Sequence, residues 1–152
     1  MALVDTLAYG LHLLFAAVWV GSVVFVALVV LPLARDGGLD AAPFGTLVAR
    51  LRTVSRTSAV VLLLSGGHMA ASGYTAESLT GTGRGHLVVT MLALWVVMMG
   101  LVEVGGARVE RGTDGMKVRE PARKARPLFL AATVVGLLLI LDAAALGTDF
   151  LV

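Results

Sequence analysis

With 152 residues, 58% of them hydrophobic and only 14% charged, this chain has too little polar surface to cover a water-soluble domain. A mean hydropathy of +0.93 makes lipid its natural solvent, and the pI near 9.5 therefore does not signal a nucleic-acid surface. Cysteine is absent, which excludes disulfides, thiolate metal sites and iron–sulfur clusters.

The first apolar run covers about residues 7–34 and includes "LHLLFAAVWVGSVVFVALVVLPLA", whose only polar groups are His12, the Trp19 indole and Ser22. Some 20 apolar residues cross a hydrocarbon core of roughly 30 Å, so this run reads as a membrane span. "MALVDT" lacks the positive n-region of a signal peptide, and the first helix is expected to be retained. Further spans are expected near residues 54–72, 86–104 and 128–146. The segments between them, "RDGGLDAAPFGTLVARLR", "GYTAESLTGTGRG" and "GGARVERGTDGMKVREPARKARP", are rich in glycine, proline or charge and read as water-exposed connections. The expected fold is all-α: a single transmembrane domain over residues 1–152, folded as an integral-membrane four-helix up-and-down bundle.

Orientation follows from the basic residues. Eleven of the twelve lysines and arginines fall in the first and third connections or at the start of the second span, while Arg84 alone lies in the middle one. Positive loops stay in the cytoplasm, so both termini are expected outside a multi-pass protein of the cell membrane. The basic third loop reads as a topology determinant beside anionic lipid.

At 1.5 Å per helical residue, the rare polar groups gather in the outer half. His12 and His86 stand near the outer boundary, and His68 lies roughly 18 Å from the inner side. Asp142 falls just short of the outer surface, and Tyr74 shares the layer. Ionisable groups at such depth are costly and mark function by default. A histidine or tyrosine of this layer is the expected partner of Asp142. Trp19, in mid-span, reads first as core packing and second as a wall of the same site. Imidazoles without cysteine suit haem iron, copper or a proton relay. The candidate metal ligands are His12, His86 and His68, with Asp142, Tyr74 and Trp19 as further cofactor contacts. No nucleophile–base constellation is visible, so any enzyme chemistry would come from a bound cofactor.

The pattern H-x6-W-x-G-x10-P, formed by His12, Trp19, Gly21 and Pro32, resembles the opening helix of CopD-type membrane proteins associated with copper resistance. The related HemJ-type protoporphyrinogen oxidases begin with a similar His…Trp helix and bind haem b. "LLLSGG" in the second span looks like the small-residue segment of the CopD group. The resemblance implies a haem or metal ligand at His12. It also departs from the HemJ pattern: "HLVVTMLALWVVMMGLVE" contains no lysine, where that group carries one, and this argues against protoporphyrinogen oxidation. The leading expectation is a haem b protein whose iron lies between His12 and either His86 or His68. The alternatives are a copper-transport component and an accessory subunit without cofactor; a homo-oligomer or a redox partner would be compatible with each.

Overall fold

The computed structural model describes residues 2–148 and is all-helical, with no strand among them. Helix α1 (Ala2–Phe25) passes through a single π turn (Val26–Val30) into α2 (Leu31–Arg35), forming one continuous column. Then come α3 (Ala41–Gly73), the short α4 (Ala76–Gly81), α5 (Gly83–Asp114) and α6 (Arg119–Gly147). The π turn lies just ahead of Pro32, whose ring nitrogen cannot donate within a helix. Locally the Leu31 N–H bonds back five residues to Val26 O.

The chief packing partners are α5 with α6, α1 with α3, and α3 with α5, with α1 also meeting α6. Columns α1 and α5 therefore stand diagonally across the bundle, each flanked by α3 and α6. Side-chain size is sorted as a lipid-facing bundle requires. Leu3, Leu14, Leu64 and Leu141 are exposed, whereas Ser55, Ser58, Ala59, Ala125 and Ala132 are buried. Small residues inside let helix backbones approach, and large apolar ones outside meet acyl chains. Trp19, Phe44, Phe129 and Met98 fill the remaining interior.

Three columns are long and apolar enough to cross a membrane: Leu3–Arg35, Gly83–Asp114 and Arg119–Gly147. These contain three of the four expected spans. The expected span 54–72 lies within α3, a 33-residue helix in which Arg50, Arg52 and Arg56 precede an apolar stretch diluted by "SGGH". Four apolar spans are therefore not what the described residues present; α3 is a long helix of mixed character.

The expected connections also shrink. A 33-residue helix is about 50 Å long, well beyond a core of roughly 30 Å. Helix α3 begins 13 residues before its expected start because Phe44, Val48 and Leu51 are buried against neighbours. Pro43 sits in its first turn, where no helical donor is lost. At the far end of α5, the "GG" that reads as a loop signal is helical. A Cβ on Gly105 would stand 2.9 Å from the Phe129 ring, and one on Gly106 would run into the Arg52 side chain. These glycines mark close approach, not a turn.

Candidate functional site

The sequence layer of polar residues becomes a set of separate contacts at one end of the bundle. Along the α1–α3 seam, Asp5, His12 and Trp19 recur every seven residues, which places them on one helix face. Because α3 runs antiparallel to α1, they meet His68, Ser65 and Ser55 in descending order.

His12 is half-buried, and its Nδ1 is 3.0 Å from Ser65 Oγ. The serine hydroxyl itself donates to Val61 O at 2.7 Å. With that proton committed, Ser65 accepts, so Nδ1 carries the imidazole proton and Nε2 keeps the lone pair. Gly66 makes room for the ring: a Cβ there would sit 2.9 Å from His12 Cε1. The two segments that carry the family resemblance, the His…Trp helix and "LLLSGG", thus pack directly on each other. Trp19 is buried, as expected of a packing residue, and its Nε1–H donates to Ser55 Oγ at 2.6 Å. Ser55 in turn points its hydroxyl at Met99 Sδ, 3.8 Å away, which links α1, α3 and α5 in one chain.

The other two histidines have different neighbours. His68 is exposed, with Nε2 donating to Asp5 Oδ1 at 3.0 Å. His86 is exposed at the start of α5, where its Nε2 donates to Thr80 O at 2.8 Å. Tyr74 caps the C-terminus of α3, half-buried, through its backbone N–H to Ala70 O. Among the described residues no three His, Asp or Glu side chains converge as a metal-holding group.

Asp142 is buried on α6, and its Oδ2 has no hydrogen-bond partner among the described residues. This corrects the expectation that a histidine or tyrosine would pair with it: the imidazoles are held by α3 and Asp5, or by the α4 backbone, instead. Trp95 Nε1 on α5 is likewise buried, with no hydrogen-bond partner among the described residues. The α5–α6 register, in which Gly105 meets Phe129 and Gly136 meets Met98, puts Asp142 within about one turn of Trp95 in height.

At the opposite end lies a cluster that the sequence reading did not single out. Arg56 grips Glu103 with Nε to Oε1 and Nη2 to Oε2, both at 2.8 Å. Arg52 adds Nε and Nη2 to Glu103 Oε2 at 3.2 and 2.7 Å, and its Nη1 reaches Glu110. Spacing held the clue. Arg52 and Arg56 are one turn apart on α3, and Glu103 and Glu110 two turns apart on α5, so each pair shares a face. Gly106 leaves the gap through which the Arg52 stem crosses α5.

Neither the curated proteins nor the solved structures yield a match to this chain. A family model does match, over residues 45–146, that is, from the first turns of α3 through almost all of α6. His12 and Trp19 precede that segment. With two-thirds of its length matched and three helices fit to cross a bilayer, the chain belongs to the membrane-embedded family described as copper resistance protein D, CopD.

Proposed function

We propose that this protein handles copper ions as cargo within the membrane, taking them up at the histidine end of the bundle. The observation that carries the reading is the hydrogen-bonded state of His12. Its Nδ1 proton is held by Ser65, and its Nε2 lone pair is left for a soft or borderline cation. The name of the family supports copper over other metals. His68, with Nε2 on Asp5, keeps its own lone pair on Nδ1 and would be the outer station. Asp142 would supply a carboxylate oxygen at the same end. Since no three such groups converge among the described residues, the proposal is of a passing ion and not a resident centre.

Haem b is the weaker occupant. A bis-imidazole iron between His12 and His86 would have to bridge the diagonal of the bundle, and His86 would have to give up its bond to Thr80 O or ligate through Nδ1. Protoporphyrinogen oxidation is not part of the proposal, because α5 carries no lysine.

Two replacements test the copper reading. His12→Ala should lower the affinity of the detergent-solubilised protein for copper by roughly tenfold or more, the scale at which loss of a ligand or its supporting shell is felt. Gly66→Ala should have the same sign, since its methyl displaces the His12 ring while helix content, read by circular dichroism, stays at the parent value. Unchanged copper binding in both would remove His12 from the function. A Soret band in the purified protein would favour haem.

The reading also has α3 crossing the membrane beside the three apolar columns, with both termini outside, because the basic residues collect at the other end. A cysteine placed at Thr82 should react with an impermeant thiol reagent added outside intact cells. One at the strongly exposed Met116 should react only after lysis. The reverse pattern would invert the orientation.

A further inference from the structure

The basic end of the bundle has a cavity of about 420 Å³ between the last turns of α5, the connection that follows it and the first two turns of α6. Arg108, Arg111, Lys117 and Lys124 line it, with Glu120 as the one carboxylate among its lining residues. Glu120 bridges Lys117 and Lys124 at 3.5 and 2.6 Å, which positions those ammonium groups but leaves the cavity strongly cationic. The first turn of α6 contributes Glu120 and Pro121 to the wall, and its N-cap, Val118, offers no side-chain cap. The positive end of a 29-residue helix is thus added to four cations.

Depth narrows the ligand. Val104 on α5 is exposed as a lipid-facing side chain. Arg108 and Arg111 follow it by four and seven residues, which is about 6 and 10 Å further along the axis. The headgroup layer of a bilayer begins just beyond its hydrocarbon core and is several ångströms thick on each side. With Val104 taken as the last side chain in the hydrocarbon, these cations fall at the depth of a lipid phosphate, and the exposed apolar surface of α5 and α6 leads away from them for the acyl chains. We propose that this cavity is a seat for the headgroup phosphate of an anionic phospholipid. The site is independent of the copper reading and lies at the other end of the molecule.

The test is a lipid titration of the purified full chain in neutral detergent. Dioleoylphosphatidylglycerol should bind saturably and raise the thermal midpoint, whereas dioleoylphosphatidylcholine should do neither. The double replacement Arg111→Gln, Lys117→Gln should weaken phosphatidylglycerol binding about twenty-five-fold, some fivefold for each cation, with an unchanged midpoint in lipid-free detergent. Should the double variant fold poorly, Lys117→Gln alone, at an exposed side chain, should still show the fivefold loss. Equal binding of the two lipids, or full phosphatidylglycerol affinity in the variants, would overturn the proposal. Stabilisation by millimolar inorganic phosphate equal to that by the lipid would assign the cavity to a soluble anion and overturn it as well.

Discussion

Trp19→Ala is expected to destabilise the bundle by about 3–5 kcal/mol, the range found when a buried aromatic ring is deleted. The indole is 1% exposed, and its Nε1–H is one member of the Trp19–Ser55–Met99 chain across three helices. In a bilayer the helices gain little from hydrophobic segregation, so close packing and interhelical hydrogen bonds carry the association. A cavity at Trp19 removes both. Trp19→Phe keeps most of the volume and drops only the donor, so its loss should be near 1 kcal/mol. Midpoints of unfolding in mixed micelles separate the two. Equal losses would mean that the hydrogen bond, and not the packing, dominates the site. On the copper proposal, because His12 stands two turns from Trp19 on the same face, the alanine variant should weaken copper binding too, and the phenylalanine variant should not.

The second large effect is expected at Arg52. Arg52→Met strips Glu110 of the arginine partner it has here and leaves Glu103 to Arg56 alone. Removing one partner of a fully buried ion pair costs about 3–5 kcal/mol, because the remaining charge stays desolvated. Here the Arg52 and Glu103 side chains are 17% and 25% exposed, so water recovers part of that and about 2–3 kcal/mol is the expected loss. Arg52→Lys should recover only a fraction, since one ammonium cannot reproduce a guanidinium fork that spans two carboxylates. Adding Glu110→Gln to Arg52→Met should return part of the loss, and that non-additivity, measured as a double-mutant cycle, isolates the coupling. Strict additivity of the two replacements would mean that the Arg52–Glu110 contact contributes nothing.

How far the site could be read beforehand differs from residue to residue. Counting 1.5 Å steps from the basic loops puts His12, His68, His86 and Asp142 at one end, where the contacts of the three histidines and the α5–α6 register of Asp142 also place them. Their partners were not readable. Ser65 and Gly66 read only as small residues of "LLLSGG", and nothing marks Asp5 out, because hydrogen bonds between helices depend on axial rotation that depth alone leaves open. The seven-residue spacing of Asp5, His12 and Trp19 was available in the sequence, and it is the pattern that the α1–α3 seam uses.

Composition and spacing are enough to establish the solvent, the helical class and the separation of a histidine end from a basic end. Those follow from transfer free energies and from helical rise, which act locally and need no knowledge of neighbours. Helix packing makes the "GG" after Glu103 a contact point and not a loop. Packing likewise carries α3 past the apolar stretch to bring Arg52 onto Glu103, and leaves Asp142 Oδ2 buried without a hydrogen-bond partner among the described residues. Each of these depends on which helix faces meet. Packing and electrostatics between distant segments settle that, and they leave only a faint trace in any one stretch of the chain.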